Sequence, residues 1–71
     1  MDPKQLMQLA VIVELGSLTK AAQRLNTTQP SLSRVVKMIE SRVGGAVLRR
    51  YLYGVVPTEI GLRLAEDGRE I

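Results

Sequence analysis

Between Ser17 and Val43 two apolar stripes of helical period stand three polar residues apart, and no other feature restricts the fold so sharply. Leu18, Ala21, Ala22 and Leu25 recur at i, i+3, i+4 and i+7, one side of a helix that Ser17 can cap. Two of the four are alanine, so another helix can approach closely. Asn26-Thr27-Thr28 breaks the pattern, because Asn tolerates a left-handed backbone and a threonine hydroxyl can cap the segment that follows. Gln29-Pro30 then opens a new helix, since proline suits a first turn and not an interior. Leu32, Val36, Ile39 and Val43 mark its buried side as far as Gly44-Gly45, which predicts a helix over about 29–43. Its opposite face begins with Gln29, Ser31, Ser33, Arg34 and Lys37.

The flanks are read in the same way. Asp2 can cap a first helix with Pro3 at its opening position, Leu6, Leu9, Ala10 and Val13 form its stripe, and Gly16 can stop it. Val47 to Val56, rich in β-branched and aromatic residues around Gly54, reads as a short two-stranded hairpin. Pro57 and Thr58 introduce a last helix running through Ile60, Leu64 and Ile71. The expected fold is mainly α.

Seventy-one residues hold one small domain, whose core supplies no more than about 3 to 5 kcal/mol unless something helps it. Cysteine and histidine are both absent, which removes disulfides, thiol nucleophiles, imidazole bases and the common zinc sites. No metal or cofactor is expected, and dimerisation is the remaining helper. Glu40, Glu59, Glu66 and Asp67 are spread along helices rather than converging, and Gly44-Gly45 lacks the Lys-Ser or Lys-Thr of a phosphate loop, so an enzyme is not expected. The longest apolar run, Leu9 to Val13, is too short to span a bilayer, and no basic stretch precedes a long apolar block. A cytoplasmic protein with no membrane partner is the expectation.

Charge is concentrated in the middle of the chain. Residues 20–50 carry Lys20, Arg24, Arg34, Lys37, Arg42, Arg49 and Arg50 against Glu40 alone, while acids are in excess on either side. That distribution favours a polyanion docking on one part of the surface. Two helices joined by about three residues, the second with a slim polar and basic start, meet the needs of a helix-turn-helix entering a major groove. Gln29, Ser31, Ser33 and Arg34 offer hydrogen-bonding groups to base edges and phosphates, and the free N–H groups of the helix start favour phosphate. Arg34 suits guanine O6 and N7, and Gln29 suits adenine N6 and N7.

Taken in order, Ser17-Leu18-Thr19-Lys20-Ala21-Ala22, Leu25, Thr28-Gln29-Pro30-Ser31-Leu32-Ser33-Arg34, Ile39-Glu40, Gly44, Val47-Leu48, Arg50 and Thr58-Glu59-Ile60-Gly61 resemble the N-terminal domain of LysR-type bacterial transcriptional regulators. The resemblance covers essentially the whole chain. It implies a winged helix-turn-helix over 1–57, with a three-helix core and a short two-stranded β-wing, followed over 58–71 by the start of a linker helix that pairs with its copy in a second subunit. It implies sequence-specific binding of double-stranded DNA in a bacterial cytoplasm, with Thr28, Gln29, Pro30, Ser31, Ser33, Arg34 and Lys37 at the major groove and Arg50 near the wing. Tyr53 stands where the family often has a wing arginine, which leaves a backbone hydrogen bond as its contact. Leu48 replaces the family's usual phenylalanine, so looser packing of the wing on the core is expected, and Gly45 stands where a branched apolar residue is common.

Family members continue into a larger effector-binding domain. The chain is therefore expected to be a DNA-binding segment of a longer regulator, or else a natural short form, with any small-molecule effector acting only through a C-terminal domain absent here. Ile60, Leu62, Leu64 and Ile71 either fold back on the first helix or, as preferred, pair with a second copy, which makes an interrupted inverted repeat the expected target. The competing function is a winged protein-interaction module that dimerises through the 58–71 helix without binding DNA.

Overall fold

Each helix begins where a side chain is available to take one of its first free N–H groups. In the computed structural model, which describes residues 1–70, helix α1 (Pro3–Leu15) follows Asp2, whose carboxylate accepts from the Gln5 N–H at 2.8 Å. Ser17 accepts from the Lys20 N–H at 3.1 Å and opens α2 (Leu18–Arg24). Thr28 accepts from the Ser31 N–H at 3.2 Å and opens α3 (Gln29–Val43). Thr58 accepts from the Gly61 N–H at 3.1 Å and opens α4 (Glu59–Arg69). Each such cap contributes about 1 kcal/mol. Helices α1 and α3 stop at Gly16 and Gly44, whose φ values of 65° and 78° are left-handed and cost a residue without Cβ little. Between α2 and α3, Asn26 takes the left-handed position at φ 55°.

The hairpin pairs β1 (Leu48–Tyr51) with β2 (Gly54–Pro57) in antiparallel register, Leu48 opposite Pro57 and Tyr51 opposite Gly54, so Leu52 and Tyr53 form its tip. It lies one residue further along than the expected span. The reason is Val47, which is fully buried with its N–H donated to the Glu40 carboxylate at 2.9 Å and its C=O accepting from the Thr58 N–H at 3.0 Å. Val47 is thereby committed to the core: its C=O still takes the N–H of Thr58 across the hairpin, but its own N–H is diverted to Glu40 and the pair is not completed.

Leu9, Ile12, Leu32, Ile39 and Val47 are fully buried and are joined by Leu18, Ala21, Ala22, Val36, Leu48 and Val55. Full burial of one such large side chain stabilises by roughly 1.5 to 3 kcal/mol. Helix α1 is central, touching α2, α3, β2 and α4, and so it is buried more widely than its Leu6-Leu9-Ala10-Val13 stripe implies: Ile12, outside that stripe, has no exposed surface. Leu48 is buried, and the wing closes on the core here despite the smaller side chain.

Helix α4 lies along α1, and its buried positions are Gly61, Ala65 and Gly68. A Cβ on Gly61 would overlap the carbonyl oxygen of Val47, and one on Gly68 that of Leu6. The buried face of α4 is thus made by small residues rather than by its large apolar ones, because only small residues allow so close an approach. Ile60 and Leu62 remain 44% and 42% exposed, and Leu64 is half-buried against the core of its own chain. Ile71, expected on the same dimer face, lies outside the described residues.

Candidate nucleic-acid interface

The first turn of α3 stands out from the body of the molecule. Thr28, Gln29, Pro30, Arg34 and Lys37 are exposed, and Ser31 and Ser33 are half-buried. Leu32, Val36 and Ile39 on the other side of α3 are buried against the core, and α2 braces it from behind, which fixes the direction of the polar face. Within the turn the side chains are bonded to one another. The Thr28 hydroxyl donates to Ser31 Oγ at 2.9 Å while its oxygen caps the helix, and Arg34 Nη2 donates to the same Ser31 Oγ at 3.3 Å. Ser33 makes none of the side-chain hydrogen bonds found among the described residues.

The wing forms the second wall. Strand alternation puts Arg50 on the same face as the buried Leu48 and Val55, toward the helices, while Arg49 lies on the outer face opposite Val56. Arg50, Tyr51 and Tyr53 from the wing, Ser17 and Thr19 from the start of α2, and Gln29 from α3 line one cleft. At its foot the Val55 N–H donates to the Gly16 carbonyl at 3.0 Å, which ties the wing to the α1–α2 corner. Beyond it the tip residues Leu52 and Tyr53 are 97% and 93% exposed.

Of the residues expected at the site, Gln29, Arg50 and Tyr53 meet around this cleft, Thr28, Ser31 and Arg34 form the bonded turn beside it, and Lys37 follows one helical turn later. Sequence reasoning missed Thr19. Its hydroxyl donates to Gln29 Oε1 at 3.2 Å across the angle between α2 and α3, and the only signal for it is its place two residues after the Ser17 cap. Tyr51, 57% exposed, also lines the cleft. The cationic side chains have little acid against them, since the lone acid of their segment, Glu40, is turned inward onto Val47 and Glu59 pairs with Arg63 at 2.9 Å.

Residues 3–62 match the profile of the family described as bacterial regulatory helix-turn-helix protein, lysR family. The chain belongs to the LysR family. It is 46% identical over 59 residues to the HTH-type transcriptional regulator PgrR of Escherichia coli K12, a match that covers 83% of this chain and 20% of that regulator. It is 39% identical over 71 residues to the nitrogen assimilation regulatory protein nac of Klebsiella aerogenes, covering 100% of this chain and 23% of that protein. This LysR-family chain thus spans about a quarter or less of the length of these curated relatives. Among solved structures, the crystal structure of a CbnR_DBD–DNA complex superposes with a TM-score of 0.90 at 31% identity, covering 99% of this chain and 80% of that one. The winged helix-turn-helix is accordingly that of LysR DNA-binding domains.

Proposed function

We propose that this chain is the DNA-binding domain of a LysR-type transcriptional regulator and reads double-stranded DNA with the start of α3 in the major groove. The observation that carries the reading is the outward polar turn of Gln29, Ser31, Arg34 and Lys37, with Arg50 across the cleft, on a chain whose family is shown. A protein element one phosphate ridge away from the major groove meets the minor groove or the backbone, which is the place assigned to Arg50 and Tyr53. Residues 1–57 form the reading unit, and 58–71 begin the linker helix.

The same reading includes a symmetric dimer through α4. Ile60 and Leu62 are large apolar side chains left substantially exposed after α4 has used its small residues on α1, and a second copy of the helix is the occupant that also sets two reading turns at a fixed spacing. Leu64 contributes from the edge of its own core. Any small-molecule effector acts through a further C-terminal domain, and a cytoplasmic site of action follows from the role. Among the described residues no helix is long and apolar enough to cross a membrane.

Binding of a labelled duplex across a salt series tests the core of the proposal. Affinity is expected to fall with a log–log slope of about −0.9 per neutralised phosphate. Selection of bound duplexes from a random pool then reports half-site spacing. Retention of no duplex at low salt would refute DNA binding and leave the interaction module, and single unpaired half-sites would refute the dimer.

A further inference from the structure

The hydrogen bonds of the recognition turn have a common polarity. The Gln29 carboxamide carries one acceptor arm and one donor arm, which point about 120° apart. Its Oε1 accepts from the Thr19 hydroxyl at 3.2 Å, which ties the acceptor arm to α2 through one of its two lone pairs, while the NH2 arm has no hydrogen-bond partner among the described residues. Ser31 Oγ accepts twice, from the Thr28 hydroxyl at 2.9 Å and from Arg34 Nη2 at 3.3 Å, so both lone pairs are occupied and only its O–H remains free to act. Arg34 itself has donors alone. The backbone N–H of Gln29 adds to the same sign, since Pro30 has none and those of Ser31 and Leu32 are bonded to Thr28.

Resting on the reading of α3 as the DNA-reading helix, we infer that Thr19 and Thr28 bias Gln29 and Ser31 toward presenting donors, which reads keto bases, guanine or thymine, at the position Gln29 contacts. Guanine offers O6 and N7 and thymine offers O4 as acceptors, whereas adenine and cytosine present amino donors at N6 and N4. The bidentate match of a free glutamine to adenine needs both arms in the groove at once, and the bond to Thr19 holds the acceptor arm toward α2 in competition with that geometry. Thr19 is thus a positioning residue: it touches no base and acts through the carboxamide it orients.

The test is selection of bound duplexes from a random pool by the whole chain, repeated with Gln29→Ala, Thr19→Val and Thr19→Ser. The position read by Gln29 is the one at which Gln29→Ala loses preference. The expected base there is guanine or thymine, favoured over adenine or cytosine by about tenfold. Thr19→Val keeps the shape of an exposed side chain and removes its hydroxyl, so it is expected to admit adenine at that position and at no other, while Thr19→Ser restores the original preference. Matching thermal melts for the Thr19 variants and the parent chain exclude a folding effect. Adenine at the Gln29 position in the parent selection overturns the inference, as does a Thr19→Val selection identical to the parent's or a Gln29→Ala selection with no position relaxed. In each of those cases duplexes are still retained, so DNA binding itself stands, whereas a parent chain that retains none sinks both readings.

Discussion

Two regions of this molecule hold their geometry by opposite means. Along the seam that α4 makes with the rest of the chain, position is set by missing side chains, with Gly68 laid directly on the carbonyl group of Leu6 in α1 and Gly61 on that of Val47 just before the wing. At the first turn of α3, position is set by side chains bonded to one another at the surface, Thr19 to Gln29 and Thr28 and Arg34 to Ser31. The seam leaves no room for change, because any added atom meets backbone that cannot swing aside. The turn allows change, because each of its bonds can be deleted with the helix behind it still packed. Folding and reading are thereby assigned to different parts of a chain only 71 residues long.

The contrast can be broken experimentally, beginning with the seam. Gly68→Ala is expected to lower stability by about 2 to 3 kcal/mol, since overpacking against backbone is among the costlier core changes, and a circular-dichroism melt measures it. An unchanged midpoint would mean that α4 is free to move off α1. Arg34→Ala should lose about 1 to 3 kcal/mol of duplex affinity and relax preference at one base pair, with the melt unaltered. Thr28→Ala touches both folding and reading, because the same hydroxyl caps α3 and engages Ser31. It is expected to cost about 1 kcal/mol of folding stability and to weaken binding as well, so a loss confined to one readout would separate the two roles. Smallest of all, removing the exposed Glu59–Arg63 pair with Arg63→Ala should change stability by no more than a few tenths of a kcal/mol.

How much was legible in the sequence depended on how local the cause was. The caps Asp2, Ser17 and Thr58, the left-handed Asn26 and the stops at Gly16 and Gly44 are each settled within a few residues, and all are found where the sequence places them. The α2–α3 pair was legible for the same reason. The seam was not, because glycine and alanine at 61, 65 and 68 carry little hydropathy, and a search for large apolar residues chose Ile60 and Leu64 instead. Nor was the bond from Thr19 to Gln29, whose partners are ten residues apart and meet only through the angle between two helices. For the candidate site, the sequence named Gln29, Ser31, Arg34 and Arg50 but could not say that neighbours restrict what two of them offer. Val47 was assigned to the hairpin because β-branched residues suit strands, while its actual place follows from Glu40, seven positions earlier.

The glycine seam also bears on how motion travels. Two helices with flexible side chains between them can slip while those chains change rotamer, but α4 rests on α1 with no such cushion at Gly68. The α1–α2 corner is in turn fastened to the wing by the Gly16 carbonyl. Helix α4, α1 and the wing are therefore joined end to end through main-chain contacts, with no flexible side chain at Gly68 or at Gly16 to act as a buffer.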